Sequence, residues 1–215
     1  MHFSNWLVFC SVAFLVTFSP GPGVLLAMTN AMAHGKQHWL ASSLGNATGL
    51  FVISGVAMAG MGAILAVSAL AFTVLKVVGA LYLIYLGIRQ WRSQAVSFAA
   101  AESAAPQAEI PGISRRLYVQ GMGVALTNPK AILFFSALFP QFIAADAPVL
   151  EQVAVLTCTF VVMSLLSHLF YVLVARLFRG QLANPHKQQL FNRISGGLFV
   201  LLGLSLLRLK NKMAA

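Results

Sequence analysis

Hydrophobic and polar positions along this chain alternate on the scale of whole spans rather than of single residues. Six apolar runs stand out: about Trp6 to Met32, Trp39 to Val67, Leu70 to Ile88, Leu117 to Ala144, Val153 to Ala175 and Phe191 to Leu209. A bilayer-crossing helix needs about 20 apolar residues at 1.5 Å each, so the pattern predicts an all-α membrane protein of six transmembrane helices. Only Ser68 and neighbouring alanines divide the second run from the third, and the sixth is short; loss of either would leave five spans. Two runs carry helix breakers at their centres, Ser19-Pro20-Gly21-Pro22-Gly23 in the first and Thr127-Asn128-Pro129-Lys130 in the fourth. Proline and glycine cannot continue a helix there, which makes helices 1 and 4 broken. In hydrocarbon the freed backbone groups are tolerated only where the break is buried in protein or lines a wet cavity.

The two breaks fall at corresponding places in two similar halves. Lys76-Val-Val-Gly79-Ala80-Leu81-Tyr82-Leu83 in the third run matches Arg193-Ile-Ser-Gly196-Gly197-Leu198-Phe199-Val200 in the sixth, and each half opens with a proline-broken span. Small-plus-aliphatic helices also resemble one another by chance, but paired breaks at similar depth favour a repeat. The expected organisation is a first three-helix repeat over 1–92, a flexible cytoplasmic linker over 93–116 and a second three-helix repeat over 117–215. Three spans per half invert the second half relative to the first, an arrangement that places a transporter's site near the midplane between discontinuous helices.

Composition confirms the membrane class: 59% of the 215 residues are hydrophobic, 8% are charged, and the mean hydropathy is +0.84. The formal charge of +10 comes from 14 Lys and Arg against four acids. These bases flank apolar spans and no nucleic-acid motif accompanies them, so the positive-inside rule accounts for them. Lys36, the group Arg89, Arg92, Arg115 and Arg116, and the group Arg176, Arg179, Lys187 and Arg193 then face the cytoplasm, leaving both termini periplasmic. Arg208, Lys210 and Lys212 at the C-terminus dissent. The N-terminal run lacks a preceding Lys or Arg and a small-residue cleavage site, and is expected to be a retained span. Cys10 and Cys158 lie alone in apolar stretches and suggest neither a disulfide nor a redox pair.

A helix restarted after proline offers unpaired N–H groups and the positive end of its dipole to a carboxylate, and glycines let a ligand approach the backbone. Pro20, Gly21, Pro22, Gly23, Asn128 and Pro129 are therefore candidate substrate-binding residues. Lys130 is another, about 20 Å along its helix from Leu117; an ionisable group at that depth marks a site by default, with snorkelling to the headgroups as its alternative. Asn46, in Gly45-Asn46-Ala-Thr48-Gly49, is either a substrate ligand or an interhelical hydrogen-bonding group. The four acids Glu102, Glu109, Asp146 and Glu151 all lie between spans. A cationic side chain or a metal ion such as cadmium or manganese would want a carboxylate in the pathway, so neutral substrates fit better. His168 is the remaining titratable group at depth, a proton-coupling candidate that packing could also explain. His34 and His38, spaced i, i+4, have no third ligand and read as solvated loop residues. No cofactor and no resident metal are implied.

At these residues the chain resembles the LysE/RhtB family of bacterial amino-acid exporters. The resemblance runs through Ser19-Pro20-Gly21-Pro22-Gly23, Gly45 to Gly49, the stretch Leu75 to Arg89, Thr127-Asn128-Pro129-Lys130-Ala131 and Phe139-Pro140-Gln141-Phe142. It implies an inner-membrane exporter, energised by the proton motive force, that moves amino acids such as threonine, homoserine, leucine or lysine out of the cell. Members that handle basic substrates can carry acidic residues in their spans, and this chain has Asn46 and Asn128 instead. The expected function is thus a secondary transporter, not an enzyme, for a neutral amino acid or close derivative, with protons and the lipid bilayer as partners and a homodimer through Gly-rich faces. The alternatives are an exporter of basic amino acids or of a metal ion, and a membrane-embedded enzyme, which would need a clustered catalytic set.

Overall fold

The computed structural model describes residues 3–34, 38–65, 69–92, 111–144, 147–177 and 185–208. Lys36, most of the expected linker (93–110, with Glu102 and Glu109), Asp146, Arg179, Lys210 and Lys212 lie outside the described residues. All the described regular structure is helical: α1 (Phe3–Phe18), α2 (Pro22–Ala33), α3 (His38–Leu65), α4 (Ala69–Arg92), α5 (Ile113–Leu126), α6 (Pro129–Leu133), α7 (Val149–Leu177) and α8 (Pro185–Arg208). Helix α6 runs on as a π turn, Phe134–Leu138, and a 3₁₀ turn, Phe139–Phe142. Pro140 explains this change of winding. Without an N–H it cannot bond back by four residues and its ring crowds the carbonyl there; the helix loosens before it, with Phe139 N–H reaching the carbonyl of Phe134, and tightens after it.

Among the described residues α3 and α7 are each long and apolar enough to cross a membrane, and two bent pairs qualify as broken spans. The bend between α1 and α2 is 53°, and that between α5 and the α6 segment is 50°. Helices overrun the expected apolar runs because basic residues at their ends, Arg89 and Arg92 or Arg115 and Arg116, continue the helix into the polar zone where they are tolerated. His38, expected in a loop, opens α3 and contacts the carbonyl of His34 through Nδ1 at 2.6 Å.

The most extensive pairings are α4 with α8 and α3 with α5, and α7 receives both α1 and α2. Glycine permits the closest crossings. A Cβ on Gly121 would run into the carbonyl of Ser42, and one on Gly87 would lie 2.6 Å from the carbonyl of Gly196. Small residues at such crossings let helices associate through backbone contact, the interaction that remains when lipid removes the hydrophobic drive between helices. Two apolar clusters fill the centre. One gathers Phe9 of α1, Phe134, Phe135, Phe139 and Phe142, and Phe160 of α7, with Phe134 and Phe160 stacked at 4.5 Å. The other joins Val24, Ala27, Met28 and Ala31 of α2 to Tyr171, Val172 and Ala175 of α7. Outward-facing residues such as Leu150, Leu177 and Leu201 are large, apolar and exposed, as a lipid-facing surface requires.

Candidate functional site

An α-helix leaves its last four carbonyls without intrahelical partners, and inside a membrane they need donors from elsewhere. At the end of α1, Ser19 N–H still bonds the carbonyl of Leu15 at 3.0 Å. The next four carbonyls, those of Val16, Thr17, Phe18 and Ser19, are met by side chains from the second half of the chain. Lys130 Nζ donates to Val16 O and to Ser19 O, each at 2.7 Å. Ser167 Oγ donates to Thr17 O and Tyr171 Oη to Phe18 O, both at 2.7 Å. The Lys130 ammonium thus sits against the negative end of the α1 dipole, the place a helix favours for a cation. At the far end of α2, Arg176 Nη2 donates to Ala31 O at 3.0 Å.

The helix starts after each break are treated differently. Asn128 caps α6 with Oδ1, which accepts from Lys130 N–H at 3.0 Å. Gly21 stands at the cap position of α2 and offers no side chain; Pro22 has no N–H, and the first intrahelical bond runs from Leu25 N–H to Gly21 O. The N–H groups of Gly23 and Val24 come before that bond, so they are the uncapped donors of a helix N-terminus.

Gly23 and Val24 line a cavity of about 40 Å³ between the two breaks, room for about three water molecules. Its polar wall is made by Gly21, Gly23, Asn46, Asn128, Lys130, Ser164 and His168, and its apolar wall by Val16, Leu50, Ala131 and Phe160. Asn46 Nδ2 reaches Ser164 Oγ at 3.5 Å, the outer limit of a hydrogen bond, so the pair is only loosely satisfied. His168 Nδ1 contacts Ser43 Oγ at 3.0 Å, and its Nε2 faces Gly23. A Cβ on Gly23 would lie 3.0 Å from Asn46 Oδ1 and 3.2 Å from His168 Nε2; one on Gly21 would lie 3.2 Å from Lys130 Nζ. Glycine at these two positions is what lets three polar side chains approach the α2 backbone.

Of the residues singled out in the sequence, Gly21, Gly23, Asn46, Asn128, Lys130 and His168 meet at this cavity, whereas Pro20, Pro22 and Pro129 do not line it. The Pro22 and Pro129 side chains are exposed: a proline at the first helical position aims its ring outward and acts through the backbone it shapes. Sequence reasoning missed Ser164, Ser167 and Tyr171. With His168 they recur at i, i+3, i+4 and i+7, a polar face in the middle of a mostly apolar helix, and that spacing was the available signal. Among the described residues the one acid is Glu151, exposed in the first turn of α7 and away from the cavity.

The chain is similar to a homoserine/homoserine lactone efflux protein of Salmonella typhimurium, with 36% identity across 94% of this chain and 96% of the relative. A leucine efflux protein of Enterobacter sp. is 32% identical across 66% of this chain and 65% of its own, and a threonine efflux protein of Escherichia coli is 30% identical across 64% and 66%. No solved structure matches the chain. A family model described as LysE type translocator matches residues 14–210. That stretch takes in both helix breaks and every residue that lines the cavity, from Val16 to His168, and the chain belongs to the LysE-type translocator family.

Proposed function

We propose that this protein is a secondary transporter of the bacterial inner membrane, not an enzyme, and that it exports a neutral amino acid or close derivative, homoserine-, threonine- or leucine-like, under the proton motive force. The observation that carries this reading is the pairing of an uncapped helix N-terminus with Lys130 at a cavity whose described lining holds no carboxylate. The substrate carboxylate meets the Gly23 and Val24 N–H groups and the third N–H of Lys130, whose other two are spent on α1. The substrate ammonium meets Asn46 Oδ1 and Ser164 Oγ, the latter held by Asn46 Nδ2 only at 3.5 Å. Val16, Leu50 and Phe160 receive an uncharged side chain. Asn128 serves by fixing the start of α6, and His168, with Nε2 toward the cavity, is the proton-coupling candidate.

Three further observations support the reading. The relatives named above are efflux proteins for homoserine and its lactone, leucine and threonine, none of which has a cationic side chain. The cavity is lined by members of both apolar clusters, Val16, Leu50 and Phe160 from one and Val24 from the other, which supports a site set between two apolar walls. Packing between the halves supports six spans in two inverted repeats: α1 lies on α7, α5 on α3 and α4 on α8, while α2 lies on both α3 and α7. A growth-protection screen with inhibitory amino acids and analogues tests the function. Cells making the protein should tolerate neutral compounds that arrest cells without it; protection by none of them, or against metal ions instead, would overturn the proposal.

A further inference from the structure

The two helix breaks are secured in different ways. At the end of α5 the caps are local: Thr127 Oγ1 and N–H both donate to Gly123 O, at 2.8 and 3.0 Å, and Asn128 N–H donates to Ala125 O at 3.0 Å. At the end of α1 the local bond from Ser19 N–H to Leu15 O remains, and every side-chain cap crosses from the other half of the chain. Two of those donors, Ser167 and Tyr171, are absent from the cavity lining, yet they are 0% and 5% exposed. A Ser or Thr hydroxyl in a membrane helix can bond its own helix four residues back, as Thr17, Thr48 and Thr159 do here, whereas a Tyr phenol reaches past its own helix and needs a partner elsewhere. Ser167 and Tyr171 both give their O–H to α1.

We infer that Ser167 and Tyr171 are positioning residues of the transport cycle: they latch the end of α1 to α7, and so hold the Gly23 and Val24 N–H groups against the cavity. The inference rests on the proposed function. Only Ser19, Pro20 and Gly21 separate the latched Phe18 from the first residue of α2, and proline fixes one of the intervening torsions, so the aim of the α2 N-terminus follows the end of α1. The latch also accounts for how Lys130 serves two sites. With Thr17 O and Phe18 O held by neutral hydroxyls, the ammonium need not secure the helix end alone and keeps one N–H for the ligand.

Two variants test this in the full-length protein. Tyr171→Phe removes one oxygen and keeps the ring in the apolar cluster it shares with Val24, Ala27 and Met28; Ser167→Ala removes the oxygen of the other cap. Without substrate, amide hydrogen exchange over residues 19–28 should accelerate about fivefold in each, the factor carried by a hydrogen bond of ordinary net strength, while α4 and α8 stay unchanged. In export assays the half-saturating concentration should rise by a similar factor, about fivefold, with the maximal rate per inserted molecule within about twofold of the parent. Unchanged exchange at the break in both variants would overturn the latch. Faster exchange with an unchanged half-saturating concentration would overturn positioning and leave a packing role. A parent that moves no amino acid, while both variants still exchange faster, would sink the transport reading and leave the latch standing. Should one variant fail to insert, the other carries the same two measurements.

Discussion

Lys130 meets two demands with one ammonium. Its two bonds to the carbonyls of Val16 and Ser19 make the broken first span tolerable in hydrocarbon, and its place on the cavity wall gives the proposed site its only positive charge among the described residues. Snorkelling, the bland reading of a midplane lysine, needs a side chain directed to the headgroups; this one is directed at a helix end. Lys130→Met should lower the initial export rate per inserted molecule by at least about tenfold, since charge-assisted hydrogen bonds contribute about 1.5–3 kcal/mol. Insertion should hold or improve, because a central lysine costs about 2.5–3.5 kcal/mol on insertion scales. Lys130→Arg keeps the charge and the donors but spreads them over a planar fork, so partial activity with an altered substrate order is expected. A Met variant exporting within about twofold of the parent would remove Lys130 from the site.

At the scale of elements, the glycine crossings and the breaks make separate predictions. Gly121→Ala drives a methyl into the carbonyl of Ser42 and should cost at least about 1–3 kcal/mol, read as loss of folded protein in a detergent thermal-stability assay. Gly123→Ala, two residues on and with nothing within 4 Å of the added carbon, should leave the melting temperature unchanged. Equal losses for both would contradict close approach as the cause, since helix propensity alone favours alanine over glycine at each position. Much of this architecture was legible in the sequence. Among the described residues the apolar runs all fall on helices, and the proline clusters located both breaks, because those signals are local. The destination of the Lys130 side chain was not legible: it depends on where the end of α1 lies relative to a residue 111 positions later, which only tertiary packing decides. The prolines were legible as breakers and misleading as lining, since a ring at the first helical turn points away from the donors it leaves uncapped. The polar face of α7 lay open to reading in the spacing of Ser164, Ser167, His168 and Tyr171; as neutral residues in an apolar run they drew less notice than the one charge.

For the whole molecule, the account requires a cavity reached alternately from two sides through two apolar clusters, and an orientation set by charge bias. With Cys10 and Cys158 replaced by serine, a cysteine at Ala147 should react with an impermeant maleimide in intact cells, and one at Arg116 only after permeabilisation; the opposite pattern would invert the topology. The central claim is that the site between the broken spans takes a zwitterion and refuses a second positive charge, because Lys130 is there and no carboxylate among the described lining offsets it. The most direct test compares initial rates for labelled neutral and basic amino acids in proteoliposomes under an imposed proton gradient. The account predicts that at least one of homoserine, threonine and leucine moves faster than both lysine and arginine by about tenfold or more, the discrimination expected when a charge must enter without its partner. Lysine or arginine moving as fast as every neutral amino acid tried would contradict it.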